Sequence, residues 1–508
     1  MITSVSWIPK GSLKAVPDVA EPPSNEEIKE LIESGAFAGS VDGSHEDEEE
    51  IEEEEEEDGN EVSEVDHAKA VAEAFGKSSK SKKASSSMEV DEVTDSLKEL
   101  DMDNYDEEDD GIELFSSGLG DLYYPSNEMD PYLKDAADDD EDEEDIDDTT
   151  IKPNDSVIIC ARNEDEVSHL EVYVYEDSSN GSPNMYVHHH IIIPEFPLCT
   201  AWMDCPLKGG EKGNFVAIGS KDTPAIEIWD LDVRDEVLPC VQLGGKEEEV
   251  EIIKKKKSKK DKNKKVKSKK QKFKEGSHTD SVLGLAWNKE FRNILASASA
   301  DKKVKVWDVA TGTCKITMEH HTKEVQAVAW NHYSPEVLLS GSFDQTVVLK
   351  DGRQPSHSGF KWSVMSDVES LAWDPHSEHS FVVSLEDGTV KGFDIRAAQS
   401  GSDTDLKPSF TIQAHDQDKG VSSIAYNISA PNLLATGSMD KTVKLWNLSN
   451  NEPSCIASHK PKAGAVFSIS FSLDNPFLLA IGGSKGELHV WDTLLDANVA
   501  HKYASKQP

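Results

Sequence analysis

Residues 281–287 read SVLGLAW, residues 324–330 read EVQAVAW and residues 367–373 read DVESLAW, so similar phrases end on tryptophans spaced by 43 residues. A second series alternates apolar and polar residues and closes on an aromatic and an acidic or amide residue: IEIWD (226–230), VKVWD (304–308), VKGFD (390–394), VKLWN (443–447) and LHVWD (488–492). Alternation with a period of two is typical of strands. Each unit therefore carries at least two strands.

A repeat of about 40–45 residues that closes on Trp-Asp is typical of a β-propeller blade, whose single sheet cannot bury its faces alone. Six units are visible. Their first strands carry the aromatics Trp202, Trp287, Trp330, Trp373, Tyr426 and Phe471, and their last recognisable strands close on Trp229, Trp307, Lys350, Phe393, Trp446 and Trp491.

A seventh blade is predicted from a split unit. MITSVSWIPKG at the N-terminus, with Trp7, would be its first strand, and SVIICAR (156–162) and LEVYVYE (170–176) would follow it. The sequence thus predicts an all-β, seven-bladed propeller, because an open ring would expose unpaired backbone. We assign residues 1–17 to the first strand of blade 1, 18–150 to an insertion, 151–508 to the blades and 246–275 to a loop between blades 2 and 3. A strand near residues 499–504 is expected to finish the last blade.

Several units also place a His before the first strand and an Asp in the turn before the closing strand, a pattern that resembles WD-repeat proteins. In that family these residues form a hydrogen-bonded network inside the blade. The resemblance implies structural rather than catalytic roles for His278, Asp301 and Trp307, for His321 and Asp344, and for His415, Asp440 and Trp446.

The repeats are imperfect. Lys350 stands where Trp is expected, so we expect that blade to lack a buried indole and to have a polar outer rim. The fifth and last units have no clear His–Asp pair.

Charge is distributed very unevenly along the 508 residues, whose net charge is −46. Residues 1–150 hold 50 acidic and 10 basic side chains, which leaves 48 acidic and 42 basic side chains for the remainder. Runs such as EDEEEIEEEEEED (46–58) repel themselves and cannot bury enough apolar surface to offset chain entropy. We expect the acidic insertion to be disordered and to attract basic partners.

The sign reverses in KKKKSKKDKNKKVKSKKQKFK (254–274), which has 14 Lys and one Asp. Such a loop suits a nuclear localisation signal, a contact with nucleic-acid phosphates, or an intramolecular partner for the acidic tract. Nuclear import is the favoured interpretation. The lysines chosen for import or phosphate contact are Lys254, Lys255, Lys256, Lys257, Lys259, Lys260, Lys264 and Lys265.

Enzyme chemistry is not expected. The sequence contains no phosphate-binding loop, nucleophile elbow or zinc-protease helix, and its six Cys include no closely spaced pair, so no zinc site or disulfide framework is predicted. His188, His189 and His190 alternate across a strand, so we expect exposed histidines rather than a metal site. We predict no cofactor, no small-molecule substrate, no signal peptide and no membrane span. Ser44 and Ser63, each followed by acidic residues, are candidate phosphorylation sites.

The split first blade, the acidic insertion, the Lys-rich loop and the 43-residue Trp spacing together resemble the periodic tryptophan protein 1 family over the whole chain. The resemblance implies a nuclear and nucleolar scaffold in ribosome biogenesis, with roles in maturation of large-subunit precursor RNA and in ribosomal-gene chromatin and transcription. The implied partners are ribosome assembly factors and pre-ribosomal particles, together with rRNA and histones.

Two alternatives stay open at this stage. A histone-binding chromatin regulator fits the acidic tract and the propeller. A substrate receptor of a cullin ubiquitin ligase is indicated by FDIR (393–396), which resembles the WDxR ending of such receptors, and more weakly by LKDGR (349–353).

Overall fold

The fold prediction is confirmed: seven antiparallel sheets are arranged as the blades of a β-propeller. A computed structural model describes residues 1–20, 150–164, 167–176, 183–209, 212–247, 272–354, 356–398 and 407–503. The first strands of consecutive blades contact one another around the ring, and the first strand of blade 1 contacts that of blade 7.

Strands are numbered in chain order, and each blade is given from its innermost strand outward. Blade 1 contains β1 (Ile2–Ile8), β3 (Ser156–Glu164), β4 (Val167–Glu176) and β5 (Asn184–Ile193). Blade 2 contains β6 (Pro197–Met203), β7 (Phe215–Ser220), β8 (Ile226–Asp230) and β10 (Val241–Leu243). Blade 3 contains β11 (Val282–Trp287), β12 (Ile294–Ser299), β13 (Val304–Asp308) and β14 (Thr313–Met318).

Blade 4 contains β15 (Val325–Trp330), β16 (Val337–Ser342), β17 (Thr346–Asp351) and β18 (Phe360–Ser363). Blade 5 contains β19 (Val368–Trp373), β20 (Ser380–Leu385), β21 (Thr389–Asp394) and β22 (Phe410–Gln413). Blade 6 contains β23 (Ser423–Tyr426), β24 (Leu433–Gly437), β25 (Val443–Asn447) and β26 (Ser454–His459). Blade 7 contains β27 (Val466–Phe471), β28 (Leu478–Gly483) and β29 (His489–Asp492).

The ring closes between β1 and blade 7. The indole Nε1 of Trp7 donates to the carbonyl of Ser470 at 2.8 Å, and the Val5 amide donates to the Ser468 hydroxyl at 3.1 Å. A Cβ on Gly482 would lie only 2.5 Å from Ile2 Cγ2, so this close packing of β28 against β1 requires glycine. The N-terminal strand therefore joins the first blade to the last.

The two faces of the ring differ in the loops they carry. We call the Trp face the one whose loops join first to second and third to fourth strands, since the periodic tryptophans end the first strands there. The His face carries the loops that join second to third strands and one blade to the next.

The acidic insertion leaves from the Trp face, because it follows β1. Its first residues stay on the propeller: β2 (Asp18–Val19) pairs in parallel with β9 (Val233–Arg234), and the Ala20 amide donates to the Arg234 carbonyl. At the other end, the Ile151 amide donates to the Ala15 carbonyl at 2.8 Å. Attachment thus extends to residue 20, beyond the boundary at residue 17 drawn from sequence.

The Lys-rich loop leaves from the His face, because it follows the fourth strand of blade 2. Its stem is a short antiparallel bridge between Lys246 and Phe273, with the Glu247 amide donating to the Lys272 carbonyl at 2.9 Å. The two charged segments are therefore rooted on opposite faces, on either side of blade 2.

The strand expected near residues 499–504 is wrong, because Ala497–Tyr503 form a helix. The Asp496 carboxylate accepts from the Asn498 amide at 2.9 Å and starts this helix, while Val499 and Tyr503, one turn apart, are both buried. Among the described residues, blade 7 consequently has three strands.

Candidate interaction surfaces of the propeller

A directional hydrogen-bond chain runs through blade 3. Trp307 Nε1 lies 2.8 Å from Ser297 Oγ, the same oxygen lies 2.7 Å from His278 Nε2, and His278 Nδ1 lies 2.9 Å from an Asp301 carboxylate oxygen. The Asp301 carboxylate can only accept, so the neutral His278 ring carries its proton on Nδ1 and donates it to Asp301. His278 Nε2 then accepts from the Ser297 hydroxyl, whose oxygen accepts from the Trp307 indole N–H. Blade 6 repeats the chain with Trp446, Thr436, His415 and Asp440.

Burial keeps His278 and His415 neutral. It lowers the pKa of His278, an effect that the Asp301 carboxylate only partly offsets, and it lowers the pKa of His415 in the same way. Burial alone would raise the pKa of Asp301, but hydrogen bonds from His278, Thr279 and Lys303 outweigh it and lower the value. Each group is thus committed to internal bonding, which is how a structural element behaves rather than a proton donor to a substrate.

Blade 4 compensates for its missing indole. His321 keeps its contacts, with Nδ1 3.1 Å from Asp344 and Nε2 2.9 Å from Ser340 Oγ. The indole's place at Ser340 is taken by His320, whose Nε2 lies 2.8 Å from Oγ and whose pKa falls to about 3 through burial, aided by His321 and Lys350. Sequence reasoning missed His320, although a doubled His in the unit that lacks Trp was the available signal.

The outer part of blade 4 differs from the expectation. Lys350 is only 7% exposed, and its ammonium donates to the His357 carbonyl. Trp362 on β18 supplies a buried indole, which packs edge-to-face on Phe381 of blade 5 at 5.1 Å between ring centroids. The blade therefore lacks the indole of its third strand but has a buried indole on its fourth.

Two of the three periodic tryptophans, Trp330 and Trp373, link neighbouring blades. Trp330 Nε1 donates to the Ala286 carbonyl at 3.0 Å, and Trp373 Nε1 donates to the Ala329 carbonyl at 3.2 Å. Each acceptor is the residue just before the tryptophan of the preceding blade, and Trp7 closes the ring with the same type of bond. The 43-residue period is thus the distance along the chain between equivalent points of this belt.

A cavity of about 560 Å³ opens at the centre of the Trp face. Its wall includes Trp287, Trp330, Trp373 and Tyr426, which come from the first strands of four consecutive blades. Lys289 also lines it, and the surrounding protein lowers the pKa of that ammonium. The lining residues Ile428 and Leu473 are 44 and 39% exposed, and Phe291 and Tyr333, which follow the lining residues Glu290 and His332 in sequence, are 50 and 52% exposed. An apolar, aromatic rim of this kind is suited to protein recognition.

The His face is acidic near blade 5. A depression lined by Glu386, Asp387 and Asp418 has a volume of about 630 Å³. Burial, together with Glu386 and Asp367, raises the pKa of nearby Glu369 to about 7. The two faces therefore offer different chemistry, aromatic and apolar on one side and locally anionic on the other.

The arginines of the two WDxR-like endings adopt one arrangement. Arg353 and Arg396 each fold back on the Asp two residues earlier, with Nε 3.0 Å from Oδ1 of Asp351 and of Asp394 respectively. Both lie on the Trp face, because they follow third strands, and both remain largely exposed.

The remaining residues singled out from the sequence lie partly outside the described residues and partly in the blades. Lys254, Lys255, Lys256, Lys257, Lys259, Lys260, Lys264 and Lys265 and the two serines, Ser44 and Ser63, lie outside the described residues. In the His run, His189 is buried rather than exposed, and burial lowers its pKa to about 4. The six Cys are unpaired, and the described part of the chain holds no His, Cys, Asp and Glu cluster that could bind a metal. In that same part, no helix is long and apolar enough to cross a membrane.

Comparisons with known proteins agree with this architecture. The model of the WD domain, G-beta repeat matches residues 269–308, 312–351, 406–447 and 453–492. An uncharacterised WD repeat-containing protein of Schizosaccharomyces pombe is 42% identical over 82% of this chain and 77% of its own length. Periodic tryptophan protein 1 of Saccharomyces cerevisiae is 31% identical over 82% of this chain and 78% of its own length.

The chain belongs to the periodic tryptophan protein 1 family. A Drosophila melanogaster homologue of periodic tryptophan protein 1 is 28% identical over 68% of this chain and 69% of its own length. In this member of the family, the indoles of Trp330, Trp373 and Trp7 bond to the blade before them, whereas Trp287 donates to the Arg292 carbonyl of its own blade.

Proposed function

We propose that this member of the periodic tryptophan protein 1 family is a non-catalytic scaffold in ribosome biogenesis, acting in large-subunit precursor RNA processing and assembly. The observation that carries the proposal is the family relationship over 82% of the chain, combined with a rigid ring that offers two chemically different faces. The network pairs His278 and Asp301, His321 and Asp344, and His415 and Asp440 are committed to internal hydrogen bonds, which supports binding rather than catalysis.

Assembly factors and pre-ribosomal proteins are the proposed partners. The aromatic mouth of the Trp face would take apolar protein surface, and the acidic tract would attract basic ribosomal proteins by long-range electrostatics. The Lys-rich loop would contact rRNA phosphates without reading sequence, since lysines act there as point charges.

Nuclear and nucleolar localisation is also proposed, on the strength of the same loop. Replacing Lys254, Lys255, Lys256 and Lys257 with Ala in a fluorescently tagged chain is expected to shift signal from the nucleus to the cytoplasm. The matched control is Ala at Lys302 and Lys441, exposed lysines on the His face, which should leave localisation unchanged.

Sedimentation of a tagged chain from nuclear extract, with and without ribonuclease, tests the assembly role. The tagged chain is expected to comigrate with large-subunit precursors, and ribonuclease treatment should abolish this comigration. A nuclease-resistant peak that contains histones and no precursor rRNA would instead establish the chromatin regulator, which the 50 acidic side chains of residues 1–150 favour as the second candidate.

A further inference from the structure

The third strand of blade 7 is less covered than any of its equivalents. In blades 2, 3 and 4 nearly every residue of β8, β13 and β17 is buried, whereas all four residues of β29 are half-exposed. The closing indole shows the difference directly. Trp229 is 0% exposed, Trp307 1% and Trp446 7%, but Trp491 is only half-buried.

Within the part of the chain that the structure describes, no strand pairs with the outer side of β29. The sheet order in blade 7 is β27, β28, β29, so β29 is the edge strand of the described sheet. The Thr493 amide donates to the Phe477 carbonyl at 2.9 Å, and antiparallel pairs alternate between bonded and non-bonded positions. Trp491 and His489 therefore bond inward to β28, and Val490 and Asp492 direct their N–H and C=O groups outward.

Each sequence repeat begins one strand before a blade does, and this explains why β29 has no outer neighbour among the described strands. The matched span 312–351 begins with β14, the fourth strand of blade 3, and ends with the first three strands of blade 4. Span 453–492 likewise holds β26 and the three strands of blade 7. Among the described residues, no strand follows this last span to cover β29, and β1 is already used as the innermost strand of blade 1.

The C-terminal helix does not fill the position. It lies against blade 6, where the Tyr503 hydroxyl donates to the Asn447 side chain at 3.1 Å and the Asn498 amide group donates to the Ile456 carbonyl at 3.2 Å. Helical backbone also does not present its N–H and C=O groups in the alternating row that pairs with a strand edge.

We propose that the outer edge of β29 binds an extended segment of a partner protein, which adds to blade 7 as its fourth strand. Blade 3 shows the chemistry required, since its VKVWD is covered by TCKITM (313–318). There Cys314, Ile316 and Met318 turn inward while the three intervening residues are exposed. The partner segment is thus one with apolar residues at every second position and free backbone amides between them.

This inference goes beyond ribosome assembly. It states how one partner binds, and its failure would leave the sedimentation result unaffected.

The first test is hydrogen–deuterium exchange of the full chain, resolved to single amides. The Val490 amide should exchange about 100-fold faster than that of Val306, its equivalent under β14. Protection of Val490 equal to that of Val306 in the free chain would overturn the proposal, because the edge would then be covered by this chain or a second copy.

The second test uses a synthetic peptide with the sequence GTCKITMEH, copied from residues 312–320. It should slow exchange at Val490 and Asp492 at least about tenfold, whereas a scrambled peptide of equal composition should not. The Val490→Pro variant removes one outward N–H and should abolish this protection at Asp492, while the matched Val490→Ala variant retains it. Protection that survives in Val490→Pro, or that the scrambled peptide reproduces, would contradict strand addition.

Discussion

Blades 3 and 7 share almost the same third strand, VKVWD in one and LHVWD in the other, yet they bury it differently. In blade 3, β14 covers the strand and Trp307 donates to Ser297. In blade 7, Ile481 occupies the position equivalent to Ser297, and β29 has no outer neighbour among the described strands. A local sequence pattern therefore specifies a strand, and the next segment of chain decides whether that strand is enclosed.

The largest expected difference between the two blades is in their closing indoles. Trp307→Ala should lower the free energy of unfolding by about 3–5 kcal/mol, because it leaves a cavity and removes the donor to Ser297. Trp491→Ala should cost about 1–2 kcal/mol, since that side chain is only partly buried and stacks on His459 at 4.6 Å between ring centroids. Urea unfolding of both variants measures this, and equal losses would show that Trp491 is enclosed after all.

Proline substitutions probe the backbone of the same two strands. Val306→Pro removes an N–H directed at β14 and should cost about 3 kcal/mol. Val490→Pro removes the equivalent N–H from an open edge, where proline is tolerated, and should cost below about 1 kcal/mol. Thermal unfolding beside the matched Val306→Ala and Val490→Ala variants separates the backbone effect from lost side-chain packing. A large loss in Val490→Pro alone would contradict the open edge.

A smaller, pH-dependent difference should come from the His278 network, which blade 7 lacks in its described residues. Burial puts the pKa of His278 below the value of about 6.5 that the unfolded chain has. Below that value the unfolded state binds more protons than the folded state, so stability is complete above about pH 6.5 and declines as pH falls towards the folded pKa. Each pH unit by which the folded pKa of His278 lies below its unfolded pKa contributes about 1.4 kcal/mol to this loss.

His278→Gln should therefore reduce the loss of stability between about pH 7.5 and about pH 5.5, although it lowers stability at the higher pH. Unfolding midpoints of the two proteins across this range provide the measurement. Parallel curves would mean that His278 does not carry the acid sensitivity.

The propeller and its blade number could be predicted because the features that specify them are local and repeated. Trp330 and Trp373 recur at one period since each bonds to the preceding blade, and Trp7 could be matched to them despite the insertion. The third strands could also be predicted, because their alternation of apolar and polar residues is local and repeats in each blade.

What could not be predicted depends on compensation between distant positions. In blade 4, His320 makes the contact with Ser340 that a Trp at position 350 would make. Trp362, on the fourth strand, supplies the buried indole and packs on Phe381. A strand is expected for the final segment only if every blade is complete. Its Asp496 cap and its buried pair Val499 and Tyr503 make it a helix instead.

Lysine crosslinking in cells, followed by purification of the tagged chain, tests most directly whether this scaffold binds pre-ribosomal partners at the outer edge of β29 in blade 7. Lys485 and Lys302 are exposed and lie in the turns before β29 and β13, so they form a matched pair. The account predicts that Lys485 crosslinks to proteins of ribonuclease-sensitive large-subunit precursors and that Lys302 does so much less. Equal crosslinking at both lysines, or a purified chain that carries no precursor proteins, would contradict it.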